Sequence, residues 1–297
     1  MTEAVVVGLD GSRASMTAAW WAAREAAERH LPVVLLHSWT TQPLDVPIAQ
    51  EAHSKQRYGR EVLQRAAAEL LHRHNDLTLT TELVSDPASQ VLLDRSESAS
   101  MLVLGSRGHG SLANFLLGSI SLHVLGLAQC PCVTVRAGDP AVEEGWGHPA
   151  SADRDEVVAG IQELGPAADP LLEFAFTAAA SGAARLRAVR ALPISASAAH
   201  PQAAPYVQRA DRDHEAQERM RLSALLVPWR EKFPDVPVVE HVDRGRASQV
   251  LLSASAHSRL TVIGRRRHPS HLTWKLGPVA HAALHHVPCP VALVPHD

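Results

Sequence analysis

The chain repeats itself, and this restricts its fold more than any other feature. Ala88–Leu93 reads ASQVLL, and Ala247–Leu252 reads ASQVLL again. The same spacing carries Gly105 onto Gly264, Gly118 onto Gly277, and Cys130-Pro131 onto Cys289-Pro290. Near the start of each half, VVVGLD (Val5–Asp10) is answered by VVAGIQ (Val157–Gln162). A duplicated chain folds the same unit twice, so the repeat comes before any fold assignment. The 297 residues suit two domains, each near the roughly 100–200 residues usual for one. The seam runs from Ala137 to Asp155 and is rich in Gly, Pro, Ala and charge, as linkers are. This places the first domain at 1–138 and the second at 154–297.

Within each half, short apolar runs alternate with amphipathic stretches. In the first half the pattern predicts strands at Val5–Val7, Val33–His37, Leu77–Val84, Met101–Leu104 and Val133–Val135. Helices fall between them at Ser15–His30, Gln50–Asn75, Ala88–Ala99 and Ser119–Ala128. The second half predicts strands at Val157–Ile161, Leu186–Leu192, Val238–Val242, Leu260–Ile263 and Val291–Val294. Its helices are Ala168–Ala180, Asp213–Phe233, Ala247–Ala256 and Val279–His286. Strands alternating with helices imply a parallel α/β sheet with right-handed crossovers. Pro193–Arg212 is rich in Pro, Ala and Ser and reads as a mobile loop.

Composition narrows the function. A net charge of −3 gives no electrostatic reason to expect nucleic acid or an anionic membrane as partner. MTEAVVVGLDGS lacks the basic and apolar regions of a signal peptide, and no run approaches the ~20 apolar residues of a span. The expectation is a soluble, cytoplasmic protein. Three cysteines are too few for a disulfide framework. Cys130 and Cys132 are spaced for redox chemistry, but burial as small apolar residues at strand starts is the simpler reading.

The informative stretch is GSRGHGSLANFLLGS, Gly105–Ser119, directly after the apolar run Met101–Leu104. Ligands of open α/β sheets sit beyond the carboxyl ends of strands, at the topological switch point. Glycines at 105 and 108 let backbone N–H groups approach an anion. Gly118-Ser119 opens the next helix, whose free N–H groups and positive dipole end suit a phosphate. The Ser119 hydroxyl adds a donor, and Arg107 or His109 can add charge. The competing reading is a tight turn with a Ser helix cap. A Walker loop would need Gly-Lys-Ser/Thr, and the loop has no lysine. Gly108–Ala113 fits G-x-G-x-x-A, but that motif belongs after a first strand and this one follows the fourth. Asp10 ends the first strand in Gly8-Leu9-Asp10-Gly11-Ser12, where a carboxylate accepts ribose hydroxyls or caps the following helix. Two strand ends across one switch point favour a nucleotide crevice.

These residues resemble the universal stress protein family. Its nucleotide-binding members carry Gly-x2-Gly-x9-Gly-Ser/Thr, matched here by Gly105, Gly108, Gly118 and Ser119. The family's strand-end aspartate matches Asp10, its adenine-contacting position after the second-strand histidine matches Ser38, and the residue after Gly-Ser matches Ile120. The resemblance spans both halves. It implies two tandem doubly wound five-stranded parallel domains of the adenine nucleotide alpha-hydrolase type, with ATP and Mg2+ in the crevice. It also implies pairing of the halves through their last strands, Val133–Val135 and Val291–Val294, as an internal pseudo-dimer. The second half departs from the pattern. Gln162 stands for the aspartate, Arg267 for the second glycine and Gly277-Pro278 for Gly-Ser. Proline removes a backbone donor there, although Arg265, Arg266 and Arg267 offer guanidinium groups for phosphate.

The function expected from this is ATP binding with a regulatory, stress-response role and little turnover. A regulatory protein partner and a homodimer, or the pseudo-dimer alone, go with it. The alternatives are a nucleotide-free interaction module that acts through domain pairing, and a slow ATPase. No nucleophile–base–orienter set stands out, and nothing pairs His109 with a partner. His281 and His285 are spaced as a metal pair, though a solvated histidine face is the simpler account. Arg209–Arg221 reads as a solvated helix with i, i+4 ion pairs. Trp20-Trp21 suggests one buried ring and one at an edge.

Overall fold

A computed structural model describes the chain except for residues 1–2, 41–48, 107–117, 144–153, 195–203 and 268–275. The first half runs β1 (Val5–Gly8), α1 (Arg13–Arg29), β2 (Val33–Ser38), α2 (Ala49–Arg73), β3 (Leu79–Val84), α3 (Ala88–Ser96), β4 (Met101–Ser106), α4 (Ser119–Leu127) and β5 (Cys132–Arg136). A four-residue helix, α5 (Pro140–Glu143), lies in the seam. The second half runs β6 (Glu156–Gly160), α6 (Asp169–Ser181), β7 (Arg185–Leu192), α7 (Ala204–Lys232), β8 (Val238–Arg244), α8 (Ala247–Ala254), β9 (Leu260–Arg266), α9 (Pro278–His286) and β10 (Val291–His296). Every strand and helix expected from the pattern is present, with ends shifted by a few residues except at the start of α7.

The described strands form one sheet in the order β3-β2-β1-β4-β5-β10-β9-β6-β7-β8. Each half is parallel within itself. The halves meet antiparallel at β5 and β10, with Thr134 opposite Val291, Val133 opposite Ala292 and Cys132 opposite Leu293. The last strands therefore pair the halves, as the resemblance implied. An antiparallel seam turns the second half about and gives the sheet its mirrored strand order.

Alternation along the strands sends side chains to opposite faces. Val5 and Val7 point into one apolar layer with α1, α2, α6 and α7, while Val6 points into the other with α3, α4, α8 and α9. Both layers run unbroken through the β5–β10 seam. Cys130, Cys132 and Cys289 are free and buried. Burial pushes the Cys130 thiol up to about 12 and raises Cys132 and Cys289 too. The thiolate is the reactive form, so the redox reading of Cys130 and Cys132 falls. Trp21 is buried, whereas the half-buried Trp20 donates from Nε1 to Glu69 at 2.9 Å.

Two expectations need correction. The stretch read as a loop up to Arg212 is already helical from Ala204. Pro205 sits in the first turn of that helix, where a missing N–H costs nothing. The charged stretch Arg209–Arg221 is more than a solvated face. Arg219 and Glu215 do form an exposed i, i+4 pair, but Glu218 is buried and is held by Arg190 of β7 and by Arg221.

Candidate functional site

The switch point of the first half lies between β1 and β4, whose neighbours lead to opposite edges of that half. A cleft of about 610 Å³ opens there beyond the strand ends. Gly8, Asp10 and Ser12 come from β1 and its turn, and Ser38 from the end of β2. Gly105 comes from β4, and Gly118, Ser119 and Ile120 from the start of α4. Seven of the ten residues expected from the sequence are thus brought together. Arg107, Gly108 and His109 lie outside the described residues.

Asp10 sits exposed at the rim. Its carboxylate accepts the Ser12 N–H at 2.9 Å, and its own N–H points to Ser15 Oγ at 3.4 Å. Burial works against its charge, but the hydrogen bonds from Ser12 and Ser15 outweigh it and hold the carboxyl below its ordinary 3.8. The group is therefore an ionised acceptor at neutral pH. The cap of α1 is Ser12, whose Oγ accepts from Ser15 N at 3.2 Å. The side-chain cap of α1 is thus supplied by Ser12 and not by the Asp10 carboxylate. Buried His37 braces the floor, with Nδ1 2.8 Å from the Leu9 carbonyl. The Ser38 hydroxyl turns to backbone, 2.6 Å from Asp86 O and 3.0 Å from Thr40 O.

The two glycines that flank the loop do different work. A Cβ at Gly105 would collide with the Ala14–Ser15 peptide, with Ser15 N at 2.6 Å. Glycine is there so that α1 can cross the sheet closely, a packing reason beside its place in the cleft lining. Gly118 is the opposite case. Its φ is −59°, open to any residue, and a Cβ there meets no described atom within 4 Å. Neither conformation nor packing among the described residues calls for glycine. Among the described residues it leaves space at the N-terminus of α4, where the N-cap residue supplies no side-chain hydrogen bond, beside Ser119.

The fourth wall was not anticipated. Ser54, Lys55 and Tyr58 of α2 line the cleft with Trp39, and the Tyr58 ring meets His37 edge-on at 6.1 Å. The spacing of Ser54, Lys55 and Tyr58 on one helical face was the available signal.

The matching cleft of the second half is smaller, about 320 Å³. Gln162, Glu163, Arg190, Gly264 and His296 line it. The arginines proposed for phosphate have other partners. Arg265 donates to the Gly126 and Ala128 carbonyls of α4, Arg266 pairs with Glu163 at 2.6 Å, and Arg267 lies 3.8 Å from the Asp297 carboxylate. His281 and His285 stack on each other at 6.1 Å.

Fold and site together define a tandem doubly wound α/β protein with a switch-point crevice open in one half and narrowed in the other. The family model for the universal stress protein family matches residues 1–136 and 154–295. The chain belongs to that family. A universal stress protein of Mycobacterium tuberculosis is 31% identical over 297 residues, spanning 97% of this chain and 95% of that protein. One from Mycolicibacterium smegmatis is 29% identical, spanning 98% and 96%. The crystal structure of a universal stress protein from Archaeoglobus fulgidus covers the whole of both chains with a TM-score of 0.71 at 17% identity, a likeness of fold. Among the described residues no helix is long and apolar enough to cross a membrane.

Proposed function

We propose that the first half binds one adenine nucleotide, ATP with Mg2+, and that the chain is a cytoplasmic stress-response regulator that reads occupancy through conformation. The observation that carries this reading is the space that the described residues leave at Gly118, beside a helix N-terminus whose N-cap supplies no side-chain hydrogen bond. Such an end offers several N–H donors and a positive dipole to phosphate. Asp10, held ionised across the cleft, is placed to accept ribose hydroxyls. The apolar floor of Leu9, Leu36 and Leu104 near Ser38 suits a purine face. Arg107, Gly108 and His109 belong to the same reading as further phosphate contacts. Bound, the triphosphate would tie α4 to β1, and a regulatory protein would sense the ordered state. Slow hydrolysis is compatible with this role; rapid turnover is not.

The narrower second cleft supports a stoichiometry of one. Denaturing freshly purified protein and chromatographing the released nucleotide against standards should give about one adenine nucleotide per chain. Two would mean that Gln162 and Pro278 are tolerated. None, with no ATP binding on titration, would favour the interaction module, for which exposed Ile120, Leu122 and Leu127 on α4 offer an apolar face. Gly118→Val should keep the fold, since no described atom opposes the new side chain, and should weaken ATP by on the order of tenfold or more. Unchanged affinity would remove Gly118 from the site.

A further inference from the structure

The helix that presents Gly118 and Ser119 is thinly attached to its own domain. Of the nine residues of α4 only Val124 and Leu125 are buried, and its N-cap supplies no side-chain hydrogen bond. Ile120, Leu122 and Leu127 are 37–39% exposed. An isolated helix of this length is not stable in water, so its order depends on what grips it. At its C-terminal end one grip comes from the other half. Arg265, on β9, donates from Nη1 to the Gly126 carbonyl at 2.8 Å and from Nη2 to the Ala128 carbonyl. These are end-of-helix carbonyls of the kind a helix leaves without partners, and a cation there also complements the dipole. Among the described residues one other side chain helps, Gln129 Nε2 donating to Leu127 O at 3.1 Å.

The reverse contact exists as well. Arg136, at the end of β5, donates to the Leu284 carbonyl of α9 at 3.1 Å. Each half therefore places an arginine on the C-terminal turn of the other half's loop helix. The two grips are not copies, because they come from different strands of their halves. They also hold unequal helices. α9 buries Ala280, Ala283 and Leu284 and begins with Pro278, whereas α4 buries two residues and begins with Gly118-Ser119.

We propose that Arg265 is a positioning residue for phosphate: through the C-terminal carbonyls of α4, the second half holds the N-terminus of that helix in place for the nucleotide of the first half. This rests on the nucleotide reading above. It gives the reduced half a task in the site it lacks, and it explains why an arginine that was a candidate for phosphate faces away from its own cleft.

The test compares ATP with adenosine by isothermal titration of the full chain. Adenosine needs Asp10 and the apolar floor but not the α4 N-terminus. In Arg265→Gln, ATP affinity should fall about fivefold, within the range of a helix-end charge, while adenosine affinity stays unchanged. Arg265→Lys, which keeps the charge, should recover most of the loss. Arg136→Gln, which loosens α9 instead, should leave both affinities unchanged. Equal losses for ATP and adenosine would mean that Arg265 serves general structure, and no loss would mean that it does nothing for the site; either overturns the proposal. If the wild type binds no ATP, the nucleotide reading itself has failed; a wild type that binds normally beside an indifferent Arg265→Gln fails this proposal alone. Should Arg265→Gln not fold, hydrogen exchange on the wild type decides. By reciprocal coupling, ATP but not adenosine should slow exchange at Gly126–Ala128, and protection confined to the first turn of α4 would overturn the proposal.

Discussion

The two clefts of this chain were built on one plan and differ in what fills them. In the first half, β2 sets His37 beneath the β1 turn, where its ring bonds the Leu9 carbonyl and leaves about 610 Å³ of space above. In the second half the corresponding strand, β7, places Arg190 there. Arg190 bonds the Ile161 and Gln162 carbonyls and pairs with buried Glu218 of α7 at 2.8 Å. The backbone carbonyl at the strand end is satisfied in both halves, by a ring in one and by half of an ion pair in the other. About 320 Å³ remains in the second cleft. One fold can thus keep its frame while a few side chains decide whether a crevice stays open.

The glycines at the ends of β4 and β9 give the largest expected contrast. Gly105→Ala sets a Cβ against the Ala14–Ser15 peptide, which is backbone and cannot swing away. Gly264→Ala meets the ring of His296 at 2.8 Å, a side chain near the chain end. Overpacking costs typically 1–3 kcal/mol. The first variant should lose about 3 kcal/mol in urea unfolding and the second about 1. Equal losses would mean that the two helices approach their sheets equally closely, and the halves would be more alike than their clefts imply.

Glu218→Gln comes next. It leaves the Arg190 guanidinium without its carboxylate in a largely enclosed site and should cost about 2 kcal/mol. Burial raises the Glu218 pKa, but hydrogen bonds and charge from Arg190 and Arg221 outweigh it and hold the group below 4.5. A depressed carboxyl stabilises the fold fully above its unfolded value and loses that contribution as pH falls through the folded value. The wild type should therefore lose stability below about pH 4.5 more steeply than the variant. Parallel acid limbs would show that this ion pair does not distinguish the second half.

The frame of both halves was legible because parallel strands buried on both faces read as short apolar runs, and the duplicated ASQVLL fixed the register of one half on the other. The pairing of the last strands came from the family resemblance, since nothing in Cys132–Arg136 alone names its partner strand, and its antiparallel direction came from the folded sheet. The start of α7 was missed because Ala204-Pro205 has the composition of a linker, although proline is at home in a first helical turn. Within the site, Asp10 and Gly118-Ser119 stood out because strand ends and helix starts leave chemical signatures. The α2 wall did not, since Ser54, Lys55 and Tyr58 are ordinary surface types on an amphipathic helix. The Arg190–Glu218 pair and the reach of Arg265 into α4 join residues far apart in sequence, and only the folded sheet brings them together.

The seam adds a last and smaller difference between the halves. Glu143 of α5 accepts from Thr17 Oγ1 at 2.8 Å and from Gly138 N at 2.8 Å, and it pairs with Arg13. The linker is thereby tied to the first turn of α1, the helix that follows the Asp10 turn. The corresponding helix α6 begins instead with a 3₁₀ turn, Pro166–Ala168, and Pro170 in its first turn, where fixed φ angles take the place of a borrowed carboxylate. Arg13 is exposed, so its share is small, and the two neutral donors set the scale. Glu143→Gln should cost about 1 kcal/mol. Burial pushes the Glu143 pKa up, but bonds from Arg13, Thr17 and Gly138 hold it below 4.5. Its contribution is complete above the unfolded value and disappears as pH falls through the folded one. Wild type and variant should differ by that amount at pH 7 and converge in acid. If the difference persists at pH 3, packing by α5 rather than the ionised carboxylate holds the linker. The first half would then owe its extra anchor to apolar Val142, which is buried against the same layer.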